Sequence, residues 1–457
     1  MSDMPIPNNI GLEFKRSLAT QLDSYQQSFR KWWQRCGPAE FLDRPMRLRC
    51  PTGSTDRARW CALRTMAPAD YQWGIFVLPT HQSSIEFGDY KGEKLWETAP
   101  DDCYYLLLDH IITQADAEHG SVEQCRTLTQ TAPSAFDLEN LFQFSLEEGR
   151  HSWSMVHLLL EHFGADGTVE SEQLLHRMCG EASRPRLLNA FNYATDDWLA
   201  HFLWCFLADR TARYQLDAVS RGAFKPLRET VSYMMLEEPM HIRFGFQGLE
   251  RTIAQSARVT LQRGRLDIFD DGAIPLPVIQ RYMNFWMPAV YDLFGNDESS
   301  HAADMHRLGI RSPRGFGQWS RSAVVIETFT SDGIRQSEVA PELAINAIMR
   351  RQFIGEVEHA VQRWNHTFAR LRIDYRLKVP HERFNRQIGA MKGAPVDPDG
   401  ALVATTYGGT VDEFLPTADD RARVRALMAR VLEPGRCASW IAPPSTGLSD
   451  VVVELGG

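Results

Sequence analysis

Between about residues 103 and 290, apolar side chains recur at alternating steps of three and four, and Pro and Gly gather mostly at a few junctions. That period belongs to amphipathic helices. Four principal helices are predicted, over about 103–130, 135–163, 187–220 and 225–256, with breaks at "TAPSAF", "GADGTV" and "SRGAFKP". Each exceeds the roughly 11-residue average of globular helices, as bundle helices often do. Two more are expected near 276–294 and 340–371. Upstream, residues 1 to about 100 mix short helical pieces with turn-rich stretches such as "DRPMRLRCPTGSTDR", and read as an irregular cap. Downstream, "AVVIETF" (323–329) and "DVVVEL" (450–455) are β-branched runs that predict short strands. The expected division is a cap over 1–100, a helical bundle over 101–290, and a C-terminal helical region with short strands over 291–457, packed on the bundle.

Two of these oily stripes are interrupted in the same way. Along the second helix the inward positions run Leu141, Phe144, Glu148, His151, Met155, Leu158; along the fourth they run Val231, Met234, Glu238, His241, Phe244. Each stripe therefore turns a Glu-x-x-His toward the bundle interior. A buried carboxylate needs a partner cation, a metal or a proton. No Lys or Arg is evident on the inner stripes, so a metal is the economical answer.

The other two helices supply the remaining acids. Stripes starting at Tyr104 and at Trp198 lead to Glu118 and Asp209. Glu118 and Glu148 are 30 residues apart, Asp209 and Glu238 are 29 apart, and each acid lies about 13 residues from its turn. At about 1.5 Å per residue, all four come to one level of an up-down bundle. Four carboxylates and two histidines in this arrangement are the dimetal pattern of ferritin-like bundles, with ions roughly 3.5–4 Å apart. Oxygen and imidazole donors suit iron or manganese. Glu147 and Glu237, one position earlier, point off the stripe and are expected behind the ligands or at the surface. The same holds for His110, His119, His157, His162 and His201. Gly149 and Pro239, each directly after a ligand Glu, predict locally distorted helix, where π-bulges often occur.

Composition narrows the picture. The net charge of −9, from 58 acidic and 49 basic residues, argues against a surface that coats nucleic acid. Eight dispersed cysteines with no C-x-x-C pair argue against cysteine-built zinc or iron–sulfur sites and for free thiols in a reducing compartment. The N-terminal "MSDMPIPNNIGLEFK" shows no apolar h-region after basic residues, and no uninterrupted apolar run of about 18 residues is seen, so the protein is read as cytoplasmic. No dinucleotide-binding fingerprint, phosphate loop or nucleophile elbow is found. No bound flavin or NAD is expected in the chain, so electrons for an oxygen-activating centre must come from a separate reductase.

Long stretches resemble a known family, the oxygenase component of benzoyl-CoA 2,3-epoxidase. They include "YQWGIFVLP" (71–79), "FGDYKGEKLW" (87–96), "TAPSAFDLENLFQFSLEEGRH" (131–151), "YDLFGNDESS" (291–300), "RWNHTFARLRIDYRL" (363–377), "FNRQIG" (384–389) and "EPGRCASWIAPP" (433–444). The resemblance covers nearly the whole chain. It implies a mainly helical, ferritin-like protein with two iron ions held by Glu118, Glu148, His151, Asp209, Glu238 and His241. It also implies O2 as co-substrate, an aromatic acyl-CoA as substrate, and an NADPH-dependent flavin/iron–sulfur reductase as partner. The sequence departs from the family pattern at His119-Gly120, where Pro-Ala is expected, and around "EEPMH". Three alternatives stay open: arylamine N-oxygenation, natural-product hydroxylation, and iron binding by a ferritin relative.

Overall fold

The computed structural model describes residues 16–41, 84–86, 88–93, 101–319, 322–403 and 411–448. In chain order the helices are α1 (Arg16–Cys36), α2 (Asp101–Gln124), α3 (Ala135–His162), α4 (Gly164–His176), α5 (Trp198–Val219), α6 (Lys225–Arg263), α7 (Leu276–Tyr291), α8 (Ser300–Arg307) and α9 (Phe316–Trp319). A hairpin of β1 (Val324–Thr330) and β2 (Gly333–Val339) follows, then α10 (Ile345–Leu371) and α11 (Ala418–Leu427). The protein is mainly helical. Hairpins α2/α3 and α5/α6 pack side by side as a four-helix bundle, with α3 against α6.

The four predicted bundle helices are present, with shifted ends. The third starts at Trp198 rather than 187, because Asp197 caps it by accepting from Ala200 N at 2.8 Å; residues 189–192 form a separate 3₁₀ turn. Ser134 starts α3 similarly, accepting from Asp137 N at 3.2 Å. Both helix starts also reach across the fold, through Asp197 itself and through Asp137, which accepts from the Ser134 hydroxyl. Asp137 receives Arg251 of α6 at 2.7 Å, and Asp197 receives the Tyr282 hydroxyl of α7 at 2.9 Å. A first turn that is also tied to a neighbouring helix fixes where the helix begins along the bundle axis.

Three elements differ from expectation. Residues 16–36 form a 21-residue helix rather than short pieces, burying Tyr25, Phe29 and Trp32 against the bundle. The expected junction at "GADGTV" is the first turn and a half of α4. Both α3 and α6 run on as α-helix through Gly149 and Pro239, with no π turn at either place. The missing Pro239 N–H is tolerated because packing on both flanks, not local propensity, holds α6 together. The strand expected at 323–329 forms, paired antiparallel with Gly333–Val339 from Val324↔Val339 to Thr330↔Gly333. The strand expected at 450–455 lies outside the described residues.

Two apolar clusters fill the two ends of the bundle. One holds Leu107, Ile111, Met155, Leu158, Leu216, Val231 and Met234; the other holds Leu141, Phe144, Phe202, Phe206, Phe244 and Leu249. Between them lies one polar level. Just past it α5 and α6 come into backbone contact: a Cβ on Gly245 would stand 2.3 Å from Phe206 N, and one on Gly248 would stand 2.2 Å from the Phe202 ring. Only glycine permits that approach. On the outer side of this hairpin lies α10, with Trp364 stacked on Phe246 at 5.8 Å and Glu356 receiving Arg210 and Arg213 at 2.6 and 2.7 Å.

Candidate metal centre

The polar level contains all six predicted residues, and all six are buried. Five converge into two groups that share Glu148: Glu118, Glu148 and His151, and Glu148, Glu238 and His241. Within each group the donor atoms lie within 4.8 Å of one another. Asp209 is buried beside them and feels the charges of Glu238 and Glu118, but its carboxyl stands outside both groups.

The histidines are oriented by residues expected to lie off the stripe. Nε2 of His151 donates to Glu237 Oε2 at 3.1 Å, and Nε2 of His241 donates to Glu147 Oε2 at 2.8 Å. A carboxylate can only accept, so each Nε2 carries a proton, and each Nδ1 is the nitrogen left to face the interior. The Nδ1 of His151 faces Glu118 at 3.4 Å and Glu238 at 3.6 Å; that of His241 faces Glu148 at 3.0 Å. Each Nδ1 thus meets carboxylate oxygens. In the metal-free protein, against the opposing effect of burial, Glu118 and Glu237 hold the His151 imidazole protonated and well above its usual range, and a bound cation would take the place of that proton. Histidine ligands to metals usually have such an outer carboxylate.

Glu147 and Glu237 are fully in the interior, and Arg150, on α3, is hydrogen-bonded to Glu237 and lies 3.7 Å from Glu147. This buried guanidinium is a cation that stripe counting did not find, since it sits beside the stripe rather than on it. Gln114 and Gln143 donate amides to Glu118 and Glu147, both at 2.5 Å.

Charge is the strongest feature of the level. Six buried carboxylates face one buried guanidinium. Burial pushes Glu148 well above the usual range, with Glu118 and Glu238 adding to the shift; burial raises Asp209 likewise, reinforced by Glu238 and Glu118. Burial, opposed by His151, pushes Glu238 up to about 8. Burial opposes ionisation of Glu118 and Glu237 too, but His151 beside the first, and Arg150 with His151 beside the second, hold both below the usual range. Oδ2 of Asp209, Oε2 of Glu238 and Nδ1 of His151 are buried without a hydrogen bond among the described residues. A buried polar atom left without a hydrogen bond or a counter-charge is destabilising. The donor set fits a pair of divalent or trivalent ions, with Glu148 placed to serve both.

Of the other nearby histidines, His119 is enclosed against Trp32 at 4.9 Å and Ser152 at 3.1 Å, and burial holds its imidazole neutral, down to about 3. Gly120 follows it because the Phe191 ring would lie 2.6 Å from any Cβ there. His201 is enclosed by Phe144 and Phe244 at 5.6 and 5.8 Å. The six cysteines among the described residues form no disulfide, and no described helix is long and apolar enough to cross a membrane.

The fold and the site together define a class: a helical bundle whose four central helices converge on a buried carboxylate and histidine cluster able to hold paired metals. No family model matches the chain. The chain is 38% identical over 461 residues to benzoyl-CoA oxygenase component B of Aromatoleum evansii, covering 98% of this chain and 97% of that protein. It belongs to the benzoyl-CoA oxygenase component B family.

Proposed function

We propose that this chain is the di-iron oxygenase component of a multicomponent monooxygenase, inserting one oxygen atom from O2 into an aromatic acyl-CoA in a benzoyl-CoA-type 2,3-epoxidation. One observation carries the reading: the two histidine–carboxylate groups sharing Glu148 occur in a chain matched end to end by a benzoyl-CoA oxygenase component. In this reading Glu118, Glu148, His151, Asp209, Glu238 and His241 hold two iron ions in a ferritin-like bundle. The bound metals supply oxygen activation and accept the two electrons each turnover needs. A separate NADPH-dependent flavin/iron–sulfur reductase delivers them; a relative named component B implies a partner component.

The chain's own residues have definable tasks. Glu147 and Glu237 hold the Nε2 protons of His241 and His151, which keeps both Nδ1 lone pairs on the metal side. Arg150 offsets the charge of those two carboxylates without entering the donor cluster. Above and below, Phe144, Phe244, Met155 and Met234 keep water from the level, which strengthens every electrostatic interaction inside it.

The test combines chemistry with metal content. Iron-loaded protein, given a reductase, O2 and benzoyl-CoA, should release a thioester containing one added oxygen atom. A nitro product from an arylamine, or mineralised iron with no organic product, would replace this reading. His151→Ala and Glu238→Ala should each bind fewer than two ions per chain while keeping wild-type helix content by circular dichroism; full occupancy in both rejects the ligand assignment.

A further inference from the structure

Residues 147–151 and 237–241 read "EEGRH" and "EEPMH". Their two glutamates and their histidine match and are buried in both; the fourth position is Arg150 in one stretch and Met240 in the other. Arg150 is buried and hydrogen-bonded to Glu237, whereas Met240 is only partly buried. Among the described residues the level therefore has one guanidinium for two outer carboxylates, and that guanidinium does not stand midway between them. It bonds Glu237 directly and lies 3.7 Å from Glu147.

Hydrogen bonding alone does not call for a cation here. A neutral amide can satisfy a buried carboxylate oxygen, as Gln143 does for Glu147 at 2.5 Å. What the guanidinium adds is charge. Six buried carboxylates against Arg150 leave five negative charges, counting both histidines as neutral ligands. Two ferrous ions would reduce that to one negative charge, and two ferric ions would turn it into one positive charge. With a neutral residue at position 150 the ferric pair would be the balanced state and the ferrous pair would carry two negative charges. Such differences are weakly screened in a site kept from water, so Arg150 favours the reduced pair.

We propose that Arg150 makes the two ion positions electronically unequal, so that the one held by His151 takes the first electron from the reductase. The proposal rests on the di-iron reading above. An outer carboxylate raises the basicity of the histidine it holds. Glu237, bound by a guanidinium, pulls less on its imidazole proton than Glu147, bound by a neutral amide. The two bonds differ in that sense: His151 Nε2 lies 3.1 Å from Glu237, and His241 Nε2 lies 2.8 Å from Glu147. The acids of the two groups tilt the same way. Glu118, grouped with His151, accepts from Gln114 at 2.5 Å, whereas Oε2 of Glu238, grouped with His241, has no hydrogen bond among the described residues. Weaker donors stabilise a ferric ion less, so reduction is easier at His151. Each ferric ion becomes ferrous by accepting one electron, and no bond to Arg150 forms or breaks. Arg150 is thus a positioning residue, acting through Glu237 and His151 without touching ion or substrate.

Full-length protein loaded with ferric iron would be reduced stepwise under anaerobic conditions with a chemical titrant and redox mediators, and followed by its optical and electron paramagnetic resonance spectra. Wild type should reduce in two separate one-electron steps. In Arg150→Gln, which keeps a donor for Glu237 but no charge, the equilibrium constant of the first step should fall by about tenfold, or about 59 mV. The second step should fall less, so that the gap between the two narrows. Arg150→Lys, which keeps the charge, should stay closer to wild type than Arg150→Gln. Arg150→Gln with two bound ions and wild-type potentials would overturn the proposal while leaving the proposed function standing. Equal shifts in the Gln and Lys variants would overturn it too, since geometry and not charge would then be the cause. A single merged step in wild type would overturn it whatever the variants do. Wild type holding fewer than two ions would bring down the di-iron reading as well.

Discussion

Replacing Glu237 with Gln changes one atom and should reverse the proton on His151. Glu237 accepts twice, from Arg150 at Oε1 and from His151 Nε2 at Oε2, the latter at 3.1 Å. An amide has one acceptor oxygen and one NH2, so it cannot satisfy both donors. The buried guanidinium takes the oxygen, since a charged donor facing an NH2 is the costlier mismatch. The NH2 then points at His151 Nε2, which must become the acceptor, and the proton moves to Nδ1. That nitrogen faces Glu118 and Glu238 at 3.4 and 3.6 Å, where a metal would need its lone pair. Outer-carboxylate changes of this kind typically cost 10- to 100-fold in metal affinity, about 1.4 to 2.7 kcal/mol. The deficit should fall on one of the two metal equivalents, because His241 keeps its own partner, Glu147. Metal-free protein titrated with Fe(II) or Co(II) under anaerobic conditions against a competing chelator resolves the two equivalents. Glu237→Asp, which retains two acceptor oxygens, is the control. Unchanged affinity for both equivalents in Glu237→Gln would refute the tautomer argument.

Two further outcomes follow from the charge and packing of the same level. Glu148, Asp209 and Glu238 have folded-state values raised above their unfolded ones, so the folded protein holds protons that the unfolded chain releases. Stability from these groups is present below the unfolded carboxylate range and is lost as pH rises toward the value of about 8 for Glu238. The metal-free protein should therefore melt at progressively lower temperature from about pH 5 to pH 8, and the metal-loaded protein should show a shallower trend; a metal-free melting temperature that rises with pH contradicts this. Gly245→Val should destabilise the protein by about 2 kcal/mol or more in chemical denaturation and weaken metal binding, since its side chain would separate α5 from α6 and so Asp209 from His241.

The bundle was legible in the sequence because its helices are long and their apolar period is strong. The interruption of two stripes by Glu148/His151 and Glu238/His241 is a chemical signal that periodicity alone does not produce. Counting residues from the turns placed Glu118 and Asp209 at the same level, where both are found buried. Arg150, Glu147 and Glu237 were not legible in the same way. Stripe counting assigns one inward face to each helix, whereas in a four-helix bundle the positions flanking the stripe meet a neighbouring helix and are buried too. Helix α4 was obscured by its glycines: Gly167 reads as a break, yet it is there because Leu159 O would lie 1.9 Å from a Cβ. Strand β2, "GIRQSEV", is mostly polar and exposed, so only its pairing with β1 identifies it. The chain reversal at Arg372, just past α10, depends on Asn365 bonding a residue 12 positions away, a contact with no sequence period.

His151 of α3 leans on Glu237 of α6, while His241 of α6 leans on Glu147 of α3. Neither rod therefore owns a self-sufficient half of the centre. Sliding or rotating one against the other breaks both supports at once, so the pair can adjust only as a rigid block. Inheritance is constrained in the same way: a change in either Glu-Glu-x-x-His stretch must be answered on the opposite rod, and the two stretches are expected to drift together or not at all.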